Sequence, residues 1–243
     1  MKENWKYFML LVLLGVTASS GFAQPLTINC NGEHIKIPEF IEDSSFSYNN
    51  WYTEHNIIYP IKTSKADWEI RLFSEKPLAN RGYLYTIRCF GDSVYFTHIV
   101  YEQRNAGDSV FREDKVVEID KYGYAIFRNV TLMKPNEPIV KILQKLIKNH
   151  LFTLNDYHKI RKSLVKKKIN IVIPETRPLF TFYETFYCVE IKVGTHFRNY
   201  KIEPEFGQYN KNIRAFQFGD RIIKILRDNI NIYAKSLKSG REY

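Results

Sequence analysis

TFYETFYCVEIKVGTHFRNYKIEP, running from Thr181 to Pro204, is the stretch on which the fold turns. Val189, Ile191 and Val193 alternate with Glu190 and Lys192, the period-2 pattern of a strand with one face buried. Gly194 then supplies a residue able to take positive φ, and alternation resumes through Phe197, Arg198, Tyr200 and Ile202. The stretch therefore reads as a β-hairpin over 181–203. A two-residue Gly194-Thr195 loop pairs Val193 with His196 and Val189 with Tyr200. A three-residue loop from Val193 to Thr195 puts Glu190 opposite Arg198 and Ile191 opposite Phe197. Matched charges and apolar partners favour this second register.

Working back from the hairpin, residues 67–130 read as a meander. Trp68 to Phe73, Tyr83 to Phe90, Val94 to Glu102, Val110 to Ile119 and Tyr124 to Val130 have strand character. Turn signals separate them, among them Gly91-Asp92-Ser93 and Asn105-Ala106-Gly107-Asp108. Short Gly/Asp loops between near-regular strands argue for an antiparallel sheet. The 17 Tyr, 17 Phe and 3 Trp favour sheet as well. Residues 25–64 are less regular, with a strand near 33–37 and then a long surface connection. The aromatics Trp51, Tyr52 and Tyr59 fit either a lid over the core or a platform for a sugar.

Periodicity changes at Lys134 to Pro138. Val140, Leu143 and Ile147 recur at helical spacing over 138–149, with Pro138 at the first turn. Thr153 and Asp156 have the spacing of a capping box that opens a second helix, striped by Leu154, Tyr157, Ile160 and Leu164. These two helices form a pair over 138–168. Ile169 to Ile173 reads as a strand closed by Pro174, and a C-terminal helix over 219–238 starts near Gly219-Asp220. The expectation is an α+β fold: an antiparallel meander sheet, the helical pair, the hairpin and the C-terminal helix. Residues 24–243 are read as one domain, because the three helices of the second half need more apolar surface than its own strands provide. If the chain divides, it divides at 134–138.

The N-terminus has the layout of a secretory signal peptide over residues 1–23. Lys2 and Lys6 precede the apolar run Phe8 to Val16, and Gly21 and Ala23 stand at the −3 and −1 positions before Gln24. That run is too short to span a bilayer, and no mature segment approaches the roughly 18 apolar residues a span requires. The expectation is an exported protein, periplasmic or secreted, and the layout resembles exported proteins of Gram-negative bacteria. Cys30, Cys89 and Cys188 are too few for a disulfide scaffold, though two of them could pair in an oxidising compartment. Cys89 lies in phase with Tyr83, Tyr85 and Ile87, which turns it toward the core.

Charge is divided unevenly. Without Lys2, Lys6 and Glu3 the chain holds 34 basic and 25 acidic residues, a net of +9. Residues 25–137 carry 13 basic against 16 acidic residues, and 138–243 carry 21 against 9. The helical pair concentrates Lys141, Lys145, Lys148, Lys159, Arg161, Lys162, Lys166, Lys167 and Lys168, opposed by Asp156 alone. A field of one sign attracts an anionic glycan, lipid or protein surface, although surface lysines also serve solubility. Nucleic acid is disfavoured by the export signal and by the lack of any zinc-finger, RRM or helix-turn-helix spacing.

Catalytic motifs are missing. The sequence has no HExxH, no Cys-x-x-Cys, no Gly-x-Ser-x-Gly elbow, no phosphate-cradling loop and no dinucleotide fingerprint, so no metal or cofactor is expected. His150, Asp156 and His158 lie close together around a helix start and are the candidates for acid–base work. His98 falls within a strand, as a sheet histidine. Two function classes follow. The first is a non-catalytic binding or interaction protein; the second is an exported hydrolase with a site assembled from distant residues. Convergent His, Asp or Glu in a pocket favours the enzyme, and an exposed basic or aromatic patch favours binding.

Overall fold

The computed structural model describes residues 25–42, 59–75, 81–105, 118–119, 124–172 and 186–230. The chain runs β1 (Leu26–Cys30), β2 (Glu33–Ile37), a 3₁₀ turn (Ile61–Thr63), β3 (Trp68–Glu75), β4 (Arg81–Phe90), β5 (Ser93–Asn105), β6 (Glu118–Ile119) and β7 (Tyr124–Met133). Helices α1 (Ile139–Lys148) and α2 (Tyr157–Lys166) follow, then β8 (Phe186–Val193), β9 (His196–Ile202), α3 (Pro204–Tyr209) and α4 (Arg214–Ile230). The result is an α+β fold. A seven-stranded antiparallel sheet has the order β6-β7-β5-β4-β3-β8-β9, and β1-β2 forms a separate hairpin. The leader at 1–23, Trp51, Tyr52, residues 110–117 of one expected strand and residues 231–238 of the last helix lie outside the described residues.

The hairpin at the heart of the sequence joins the meander through β3, which pairs with β4 on one side and β8 on the other. Val189, Ile191 and Val193 are buried, as their alternation requires. Its register is the two-residue one: Val193 faces His196 and Val189 faces Tyr200. Gly194 at φ +58 supplies the positive φ that a tight loop needs to match strand twist. The charge match that favours the other register fails because Glu190 and Arg198 belong to opposite sheet faces. Arg198 is fully buried and donates to the carbonyls of Phe152 and Leu154 between α1 and α2. Glu190 lies with Arg71, 3.4 Å away.

The sequence reading places one strand before residue 60, whereas the described residues form two. Cys30 and Glu33 close a two-residue loop in which Asn31 and Gly32 take φ +50 and +77. Both central residues at positive φ are what an Asn-Gly turn provides. Ile28, Cys30, Ile35 and Ile37 bury against the same core as Trp68, Ile70 and Leu72 of β3. Helices α1 and α4 complete that core with Ile142, Leu143, Leu146, Ile222 and Leu226. Truncating such a fully buried residue to Ala removes about 2–5 kcal/mol.

The other sheet face is lined by Glu69, Arg71 and Phe73 of β3, all buried. Residues 59–66 cross it as a strap. Arg71 Nη1 donates to the Tyr59 carbonyl (2.8 Å), Ser64 Oγ donates to Glu69 (2.5 Å), and Lys192 Nζ donates to the Ser64 and Ala66 carbonyls. Lys62 Nζ stands 4.1 Å from the centroid of the Phe197 ring. Tyr59 itself is 82% exposed.

Three helix and strand boundaries differ from the sequence reading. Asp156, not Thr153, caps α2: its Oδ1 accepts from His158 N (2.8 Å) and its Oδ2 from Lys201 N (2.9 Å). Residues 169–172 form no strand, because Asn210 bonds both backbone groups of Val172 at 2.7 and 2.8 Å and so replaces a neighbouring strand. The last helix begins at Arg214 and runs through Gly219. A Cβ there would stand 2.2 Å from Tyr157 Oη, so this glycine marks a close helix crossing rather than a helix start.

Candidate functional site

The basic residues of the helical pair separate into two groups. On α1, Lys141, Lys145 and Lys148 are exposed on one face. Lys145 Nζ bonds both carboxylate oxygens of Glu137 at 2.7 Å, which holds that carboxyl below its usual range and neutralises part of the stripe. On α2 and the residues after it, Lys159, Lys162, Lys166, Lys167 and Lys168 are exposed. No carboxylate pairs with Lys162, Lys166, Lys167 or Lys168 among the described residues. Lys166, Lys167 and Lys168 thus gather at the C-terminal end of α2, where the helix dipole is negative, with Lys162 one turn earlier.

Backbone geometry fixes that end. Lys168 takes φ +57 while its N–H bonds the Val165 carbonyl (2.9 Å), and Ile169 N–H bonds the Leu164 carbonyl (3.0 Å). These two bonds form a Schellman cap, whose left-handed position usually holds Gly. Helix α1 ends the same way. His150 sits at φ +62 with its N–H on the Ile147 carbonyl, and Leu151 N–H bonds Leu146.

The candidate acid–base residues do not converge. His150 Nδ1 lies 3.2 Å from Thr153 Oγ1, and its ring packs on Phe218 with centroids 4.4 Å apart. Both Asp156 oxygens hold backbone N–H groups, and the His158 side chain is exposed. Among the described residues no side-chain hydrogen bond joins His150 or the His158 ring to Asp156. His98 lies in β5 opposite Tyr85 and stacks on its ring, with centroids 4.7 Å apart and planes within 9°. No group of three or more His, Cys, Asp or Glu among the described residues is placed to hold a metal ion.

A cleft of about 790 Å³ lies where the β1-β2 hairpin meets the β4-β5 and β8-β9 turns. Lys65, Asp67, Trp68, Asp92, Lys192 and His196 contribute to its walls. Several of these groups are already engaged. Asp67 Oδ2 accepts from Gly91 N (2.7 Å), and Trp68 Nε1 donates to the Asn29 carbonyl (3.0 Å). His196 Nδ1 lies 2.5 Å from Glu42 Oε1, a histidine–carboxylate pair that sequence inspection does not find. The residues come together only through turns far apart in the chain, so spacing carries no signal of the cleft.

Cys30, Cys89 and Cys188 are buried thiols outside any disulfide. No helix among the described residues is long and apolar enough to cross a membrane. No family model, curated protein or solved structure matches the chain.

Proposed function

We propose that this chain is an exported, non-catalytic binding protein that holds an anionic partner at the basic end of α2. The supporting observation is the exposure of Lys162, Lys166, Lys167 and Lys168 with no carboxylate among the described residues to balance them. Some charges elsewhere are paired: Lys145 with Glu137, and Glu69 with Arg71 and Arg88. Unbalanced surface cations concentrate anions within a Debye length, about 8 Å at physiological ionic strength. Export rests on the leader, with its basic start, short apolar run and small residues before Gln24.

Two measurements test this reading. Mass spectrometry of protein from the native cell envelope should find a chain starting at or near Gln24, and an intact Met1 in the cytoplasm would refute export. Mature protein should bind a soluble polyanion such as dextran sulfate, with an affinity that falls steeply as salt rises. Replacing Lys166, Lys167 and Lys168 with Gln should weaken that binding without lowering the unfolding midpoint.

The hydrolase reading draws on one observation, the His196–Glu42 pair at the cleft. A carboxylate on Nδ1 orients an imidazole and leaves Nε2 for proton transfer. Activity of mature protein on chromogenic esters, lost in His196→Ala, would move the function to the cleft.

A further inference from the structure

The basic end of α2 is apolar as well as charged. Val165, Ile169 and Val172 are 62%, 42% and 55% exposed, and they interleave with Lys162, Lys166, Lys167 and Lys168. These apolar side chains sit on a fixed backbone. The helix cap holds Ile169, and Asn210, itself buried, clasps Val172 through both its N–H and its carbonyl. Tyr209, next in sequence to Asn210, is 46% exposed.

A polyanion dissolved in water recognises the lysines and gains nothing from the valines. A lipid surface uses both. Anionic headgroups attract the ammonium groups, and the boundary below them takes apolar side chains and the amphipathic ring of a tyrosine.

We infer that this edge docks on the surface of an anionic lipid bilayer. Lys162, Lys166, Lys167 and Lys168 lie among the headgroups, and Val165, Ile169 and Val172 enter the acyl boundary. The inference rests on the anion-binding reading above and narrows its partner to lipid. Contact is peripheral: a few exposed side chains and no spanning segment.

The test uses full-length mature protein in three assays: co-sedimentation with vesicles of phosphatidylcholine, co-sedimentation with vesicles of phosphatidylcholine and phosphatidylglycerol, and binding to dextran sulfate. Wild type should bind the mixed vesicles and the polyanion, and ignore neutral vesicles. The variant Lys166→Gln/Lys167→Gln/Lys168→Gln should lose affinity for mixed vesicles by about 100-fold, at roughly fivefold per lysine, and weaken on dextran sulfate too. The variant Val165→Ser/Ile169→Ser/Val172→Ser should lose about tenfold or more on vesicles and keep its dextran sulfate affinity. Val165→Ser alone, on the open face of α2, gives the same contrast in smaller measure if the triple variant folds poorly. Serine variants that bind vesicles like wild type would overturn the lipid inference and leave the anion reading standing. Wild type that binds neither anionic probe, or a glutamine variant that binds both unchanged, would overturn both.

Discussion

Tyr157 of α2 lies across α4 at Gly219: a Cβ at residue 219 would stand 2.2 Å from Tyr157 Oη and 3.0 Å from Ile202 Cγ2. The same hydroxyl donates to the Phe216 carbonyl at 2.7 Å, so the tyrosine is both packed and bonded on the helix it crosses. Gly219→Ala should therefore destabilise the protein by about 1–3 kcal/mol. An exposed helix interior would respond in the opposite direction, since Ala favours helix over Gly by about 1 kcal/mol. Tyr157→Phe removes only the hydroxyl and its bond, and should cost about 1 kcal/mol. Urea unfolding of both variants checks the pair, and a stabilised Gly219→Ala would show that the helices do not cross here.

The two helix caps predict gains in stability. His150 and Lys168 both sit at left-handed φ, where an L-residue is strained by about 1–2 kcal/mol relative to Gly. Glycine gives part of that back through greater freedom in the unfolded chain, so His150→Gly and Lys168→Gly should each stabilise by about 0.5–1 kcal/mol. The two should then part company. Lys168→Gly should bind dextran sulfate more weakly, while His150→Gly should leave that affinity unchanged. Melting midpoints and one binding isotherm per variant decide it.

Legibility followed the range of the interactions. The hairpin strands, α1 and the inward face of α4 are readable because period-2 or helical spacing records burial within each segment. The lysine patch is readable for the same reason: five of its lysines lie within ten residues of chain. Asn31-Gly32 is equally local and marks the first hairpin, yet the mixed composition around it masks the alternation of Ile28, Cys30, Ile35 and Ile37. The β8-β9 register is not local, since the partners of Glu190 and Arg198 lie across the sheet and between two helices. The cleft and its His196–Glu42 pair depend on contacts 154 residues apart in sequence.

Asp220 predicts how stability responds to mild acid. Burial pushes its carboxyl up to about 6 from 3.8, and its Oδ1 is buried with no hydrogen-bond partner among the described residues. Between about pH 4 and pH 6 the folded chain then holds a proton that the unfolded chain has released. Stability from this group is present below the lower value and is lost as pH rises through the upper one. Asp220→Asn removes the loss, and should stabilise by about 1–2 kcal/mol at pH 8, a figure reduced for partial exposure, with little change at pH 4. Equal gains at both pH values would point to packing against Gly207 rather than to charge.

The cysteines predict a chemical footprint. Burial, with Cys89 and Glu33 adding to it, pushes the Cys30 thiol up to about 12, and burial raises Cys89 as well. Thiolate is the reactive form, so both groups should be inert at neutral pH. Iodoacetamide at pH 8 should modify none of the three cysteines in folded, reduced protein and all three in guanidinium. Rapid labelling of the folded chain would place a thiol at the surface.

The buried charges beneath the 59–66 strap predict the opposite pH slope. Burial alone would raise the Glu69 carboxyl, but the charge and hydrogen bond of Arg71 (2.7 Å) outweigh it. Arg88 (2.8 Å) and Ser64 reinforce them, so the carboxyl is held below its usual range. A lowered carboxylate contributes stability above its unfolded pKa and loses it as pH falls through the folded one. Glu69 is fully buried and Arg71 is 2% exposed, so removing one partner leaves the other away from water and relying on its second ion pair, Arg88 for Glu69 and Glu190 for Arg71. Glu69→Gln and Arg71→Met should each cost about 3–5 kcal/mol at pH 7. The deficit of Glu69→Gln should shrink as pH falls, because the wild type then loses the same ion pair. Glu69→Gln combined with Arg71→Met should cost less than the two single losses added together, since each single variant already removes the Glu69–Arg71 contact and their sum counts it twice. Unfolding free energies of the three variants across pH measure all of this, and additive losses would show that Glu69 and Arg71 are solvated independently.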